Sequence, residues 1–190
     1  MQNKEENKNF IDIKLSKDYI TDNFSGDNYL DAIMEIVWNS IDADASEISI
    51  DLTSNVIGSG IDSLSITDNG HGIEYEKIQE YLKELGKSAK KNSHKSPKGR
   101  IYHGKKGKGR FYFLNIGEKI TWETVARDKN GKLNFYEITS NRQNPNRMYF
   151  SDIKNNQSKE TFTKVTIDNL LDKPSRLKAF ELKEWTYPLF

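Results

Sequence analysis

At 190 residues, 35% hydrophobic and 30% charged with a net charge of +1, the chain is long enough for one domain with a real core and too short for two comfortable ones. No apolar run approaches the ~18 residues needed to span a bilayer, and the N-terminus MQNKEENKNF lacks the apolar stretch of a secretory signal. There are no cysteines, which removes disulfides and thiolate metal sites and fits a reducing cytoplasm.

In chain order, residues 1–15 read as a polar arm, and Ser16 is placed to cap a short helix. From Asp27 to about Ala45, Leu30, Ile33, Met34, Val37 and Ile41 recur at helical spacing and predict a helix with one buried stripe. EISIDLT (47–53) and SLSIT (63–67) alternate apolar and polar residues, the pattern of half-buried strands. DNGHGI (68–73) follows, with two glycines bracketing His71 where a tight turn needs one. Tyr75, Ile78, Leu82 and Leu85 restore helical spacing, and RFYFLNIG reads as a short buried helix ended by Gly117. KITWETVA, the turn DKNG and KLNFYEIT predict a β-hairpin, and ETFTKVTI (160–167) a further strand. LDKPSRLKAFELKEW opens on a proline break and reads as a closing helix. Helix, strand, strand, helix and then hairpin strands suggest an α+β two-layer sandwich with helices on one face of the sheet.

Charge is segregated along the chain. Between Lys17 and Lys77 there is no Lys or Arg, and from Leu85 to Gly117 there is no Asp or Glu but ten Lys and Arg. A ligand carrying both a metal ion and phosphates would use both signs; pairing of the two segments on a solvated surface would also account for them. On the first helix, Glu35, Asn39 and Asp42 fall opposite the apolar stripe. An exposed polar face usually carries lysines paired with acids, yet this helix has none, and Trp38 lies close to the same face. Something therefore covers that face. Glu35 and Asn39, one turn apart, can point a carboxylate and an amide oxygen at one centre, a donor set suited to Mg²⁺, which often takes only one or two protein oxygens.

At this point the motifs resemble a family. EIVWNSIDADA (35–45), DNGHGI (68–73) and GKKGKG (104–109) are similar, in order and spacing, to the N-box, the DxGxG adenine motif and the GxxGxG motif of the GHKL ATPases: gyrase B, Hsp90, histidine kinases, MutL and MORC proteins. The resemblance covers about residues 25–170 and implies the Bergerat fold, a mixed and mostly antiparallel sheet with helices on one face and a long ATP lid over residues 86–109. It implies one nucleotide-binding domain over residues 16–190, with ATP and Mg²⁺ as ligands.

By the same resemblance, Glu35 is the general base, Asn39 the Mg²⁺ ligand, and Asp42 orients the metal's waters or braces the helix. Asp68 accepts from the adenine amine, while Gly70 and Gly72 leave room for the base against backbone. Ser88 and Lys90 match the start of the lid. Gly104, Gly107 and Gly109 form its phosphate-binding end, with Lys108 and Arg110 as candidate phosphate contacts. Thr163 stands where the family has an adenine-side threonine, although Phe162 replaces the usual preceding glycine. GRIYHGKK nearly matches a P-loop, but Lys106 stands in place of the required hydroxyl.

The expected activity is slow, Mg²⁺-dependent ATP hydrolysis that drives lid closure and either homodimerisation or engagement of a following transducer or effector domain. Hydrolysing relatives draw a phosphate-binding lysine from such a domain, and this sequence stops at WTYPLF, about where the nucleotide domain should end. KGKGRF is similar to the lid motif of bacterial Hsp90-like ATPases of defence or uncharacterised systems. Two other readings stay open: a nucleotide-gated scaffold without hydrolysis, and a nucleic-acid-binding module using the basic 87–110 segment, with Tyr102 stacking on a base. No membrane association is expected, and a cytoplasmic location is.

Overall fold

The computed structural model describes residues 9–13, 24, 28–54, 60–83, 96, 98–103, 109–155 and 158–177. The Ser16 cap, Leu85, the lid residues Ser88, Lys90, Gly104, Gly107 and Lys108, and most of the expected closing helix lie outside them. Of that last segment, the proline break is a single 3₁₀ turn, Pro174–Arg176.

Helix α1 (Tyr29–Asp42) begins after Asn28, whose side chain accepts from the Asp31 amide, and it buries Ala32, Ile33, Ile36 and Val37. Strands β2 (Ile48–Ser54) and β3 (Ile61–Asp68) follow. Next come a 3₁₀ turn at Tyr75–Lys77 and a short helix, α2 (Ile78–Lys83). The RFYFLN segment is helical but wound as 3₁₀ over Gly109–Asn115, with Phe111, Phe113 and Leu114 buried. The tighter winding suits a segment whose apolar residues sit two and three apart rather than three and four. Strands β4 (Gly117–Arg127) and β5 (Leu133–Asn141) form the expected hairpin, and β6 (Arg147–Phe150) and β7 (Phe162–Leu170) complete the set.

Asn9–Asp12, inside the segment read as a polar arm, is a strand, β1. It pairs with β6, and Ile11 and Ile13 are buried in the core. Arg147 holds it with two hydrogen bonds to the Asp12 carboxylate, at 2.6 and 2.8 Å.

The sheet has seven strands in the order β1-β6-β5-β4-β7-β3-β2, and every described pairing is antiparallel, in keeping with the mostly antiparallel sheet expected. Cross-strand partners share a face, so the register sorts the side chains. Leu64, Ile66, Val165, Ile167, Ile120, Ile138, Met148 and Ile11 lie on one face and join the buried side of α1 in a single core. The other face carries Ser, Thr and charged residues, including the directly opposed pairs Lys119–Asp168 and Lys164–Glu123, each at 3.9 Å. Helices against one face and polar side chains on the other make an α+β two-layer sandwich.

Candidate nucleotide site

A row of four polar residues crosses the helix-side face at one end of the sheet. Asp68 pairs with Thr163, Thr163 with Thr124, and Thr124 with Tyr136. All four are buried; Asp68 is only 4% exposed. Apolar residues would be expected at this depth, so each polar group needs a partner. Ser40 Oγ on α1 donates to Asp68 Oδ2 at 2.8 Å, and the Gly70 amide donates to Oδ1 at 2.9 Å. Burial nevertheless holds the Asp68 carboxyl above the usual carboxylate range, against the lowering effects of Ser40, Gly70, His71 and the Thr163 amide.

Thr124 ties the row together. Its hydroxyl accepts from the Ile73 amide at 3.0 Å and donates to the Phe162 carbonyl at 3.1 Å. Its single proton is thereby used, so in the 3.3 Å contact with Thr163 Oγ1 the Thr163 hydroxyl is the donor. Tyr136 OH donates to the Ile73 carbonyl at 2.9 Å. Both backbone groups of Ile73, the last residue of DNGHGI, are thus gripped from β4 and β5.

The two glycines of that loop have a requirement inside the protein. Gly72 has φ +74°, and a Cβ there would lie 2.2 Å from the Val125 carbonyl oxygen. A Cβ on Gly70 would lie 2.7 Å from the Ala43 carbonyl oxygen, which already accepts from the His71 amide. The loop is pressed between the end of α1 and β4, so close backbone packing accounts for both glycines, whether or not a base also approaches them. His71 itself is exposed, with Nδ1 2.8 Å from the Gly72 carbonyl oxygen.

On α1, Glu35 is half-buried, Asn39 exposed and Asp42 buried. The chain itself covers part of this face, over Trp38 and Asp42, and leaves Asn39 exposed. The His103 ring stacks on Trp38 with centroids 3.7 Å apart and planes at 2°, and the His103 amide donates to Asp42 Oδ1 at 2.9 Å. Gly109 lies so close to Asn39 that a Cβ would come 2.9 Å from Asn39 Nδ2. The first and third motifs therefore meet at Asn39.

Beyond the helix, Asp44 has φ +61° and is 4% exposed. It accepts from Ser96 Oγ at 2.5 Å and the Lys98 amide at 3.0 Å. Burial works against its charge, but Ser96, the Lys98 amide, His71 and Arg100 outweigh that and hold the carboxyl below its ordinary range.

Arg110, a candidate phosphate contact, is half-buried and donates through one nitrogen to the Leu82 carbonyl at 2.8 Å. Burial pulls it down to about 10, still cationic at neutral pH. Among the described residues no group of three or more His, Cys, Asp and Glu converges on one centre. A Mg²⁺ at Asn39 would then draw most of its ligands from phosphate and water, a hard-oxygen set that this face fits. A cleft of about 480 Å³ at the sheet end touches Asp68, but its rim carries Glu47 and Glu160, an unfavourable place for a triphosphate.

Ser40, Thr124, Tyr136, Asp44 and Ser96 were not singled out from the sequence. A signal existed for two of them. Ser40 continues the Leu30–Ile33–Val37 stripe, and Thr124 is in phase with Ile120 and Trp122; a polar residue in an apolar phase implies a buried partner.

Residues 28–170 match the family model described as histidine kinase-, DNA gyrase B-, and HSP90-like ATPase. No individual curated protein matches the chain. With three-quarters of its length matched and the three motifs joined around α1, the chain belongs to the histidine kinase-, DNA gyrase B- and HSP90-like ATPases, which implies ATP binding.

Proposed function

We propose that the chain binds ATP with Mg²⁺ and hydrolyses it slowly, using binding to drive rearrangement of the lid and association with a second copy or a following domain. The observation that carries this reading is the Asp68 carboxylate. It is buried at the head of a polar row, held by Ser40 and Gly70, and kept at the cost of its hydration. A carboxylate so placed suits a ligand with an amine donor and a flat ring. An exocyclic adenine amine would supply a charge-assisted hydrogen bond worth about 1.5–3 kcal/mol. Thr163, next in the row, belongs to the same pocket in this reading, with its hydroxyl oriented by Thr124.

The triphosphate would extend along α1 toward Asn39 and Gly109. Mg²⁺ held by the Asn39 side-chain oxygen would offset charge on the phosphates. Glu35, one turn earlier on the same face, would position the attacking water and take its proton. Asp42 holds the His103 amide, which favours the bracing role over the water-orienting one. Ser88, Lys90 and Lys108 of the 86–109 lid would complete the phosphate contacts. No helix among the described residues is long and apolar enough to cross a membrane.

Glu35→Ala tests the chemistry. ATP affinity should stay within a few-fold of wild type while turnover falls by about 10²-fold or more, the usual loss on removing a general base. Equal turnover in the variant removes Glu35 from that role.

A further inference from the structure

Asp44 is an unusual residue for its backbone. At φ +61° glycine is free of steric cost, while an aspartate is tolerated but strained. Its carboxylate is also buried, which adds a desolvation cost. Residues held in this way mark places where side-chain contacts outweigh local strain.

The hydrogen bonds to that carboxylate all reach one segment, Ser96 with residues 98–103. Ser96 Oγ donates to one oxygen of Asp44 and the Lys98 amide to the other. The Arg100 amide donates to Ser96 Oγ at 3.0 Å, which closes a small network around the carboxylate. The same segment adds backbone-directed bonds: Lys98 Nζ to the Asp44 carbonyl at 3.2 Å and Arg100 to the Ala45 carbonyl at 2.7 Å. Its far end reaches α1, with the His103 amide on Asp42 and the His103 ring on Trp38. After residues 104–108 the described chain resumes at Gly109, against Asn39. None of Asp44, Ser96, Trp38 and His103 has a part in the chemistry proposed above.

We propose that Asp44 is a positioning residue for the nucleotide site: its carboxylate anchors Ser96 and residues 98–103 to the end of α1 and so fixes the chain on its approach to Gly109 beside Asn39. The proposal rests on the ATP-binding reading. Anchoring removes conformational freedom that triphosphate binding would otherwise have to remove, so the anchor acts on affinity for phosphates and not on the base pocket.

Asp44→Gly separates this role from backbone strain, because glycine suits φ +61° and removes the carboxylate with its single methylene. Amide hydrogen exchange on the full chain should show Lys98, Arg100 and His103 exchanging faster, with β3 and β7 amides unchanged. By calorimetry, ATP affinity should fall about tenfold while adenosine affinity holds. Asp44→Asn keeps one acceptor and should recover most of the loss. Ser96→Ala removes the hydroxyl from the other partner and should reproduce the effect even where Asp44→Gly folds poorly. Unchanged exchange in Asp44→Gly and Ser96→Ala overturns the anchor. Faster exchange with unchanged ATP affinity overturns the positioning role. A wild-type chain that binds no ATP overturns the nucleotide reading, and the positioning role with it, while the exchange rates still report the anchor.

Discussion

Ser40→Ala is the perturbation that the geometry constrains most tightly. The hydroxyl lost donates to a carboxylate that is 4% exposed, so water cannot readily replace it. A hydrogen bond to a charged group is worth about 1.5–3 kcal/mol. At the middle of that range, near neutral pH, Tm should fall by roughly 5–9 °C, taking about 2–4 °C per kcal/mol for a chain of this size.

The pH dependence has a definite sign. The Asp68 carboxyl is raised by burial in the folded chain, so the fold disfavours its charged form, and this penalty is relieved as pH falls through the folded value. Removing Ser40 raises the carboxyl further. The variant's deficit should therefore be full above both folded values and shrink on acidification, as the carboxyl protonates in both proteins. Urea unfolding of wild type and Ser40→Ala across a pH series measures this. A deficit that stays constant with pH, or grows on acidification, would refute the claim that the hydroxyl serves the charged form of Asp68.

Other expectations follow from single contacts. Gly72→Ala puts a Cβ 2.2 Å from the Val125 carbonyl oxygen at φ +74° and should cost about 3 kcal/mol or more; a variant within 1 kcal/mol of wild type by urea titration would contradict the packing described. Thr124→Val leaves the Ile73 amide without its acceptor and should destabilise by about 1–3 kcal/mol. It should also weaken ATP binding more than Thr124→Ser does, as read by calorimetry. Ile11→Ala, in β1, should cost about 2–5 kcal/mol for a buried isoleucine, whereas a chain whose β1 lies off the sheet would lose little.

How much of this was legible beforehand depends on whether the relevant neighbour is local. The α1 stripe, the β2 and β3 alternation and the β4–β5 hairpin were readable because each encodes its own period and turn. The Asp128 carboxylate that accepts the Asn130 and Lys132 amides sits inside the turn that it shapes. β1 was not legible. NFID is four residues with a single buried side chain, and only pairing with β6, well over a hundred residues away, makes it a strand. The glycines of DNGHGI were readable as exceptional, but their neighbours Ala43 and Val125 come from other elements. Asp44 gave no signal, since its meaning lies in φ and in a partner fifty-two residues on. The three motifs were legible as a set, and the contacts at Ser40 and Gly109 explain why they occur together.

The central claim is that the pocket headed by Asp68 takes adenine nucleotide. Calorimetric titration of ATP into the wild-type chain and into Asp68→Asn, with and without Mg²⁺, tests it most directly. In the variant one carboxylate oxygen becomes an amide donor, which would face the adenine amine or displace the bond from Ser40. Binding to wild type should be saturable and strengthened by Mg²⁺, with a loss of about ten- to hundredfold in Asp68→Asn for the roughly 1.5–3 kcal/mol bond. Equal ATP affinity in the two proteins would contradict that claim.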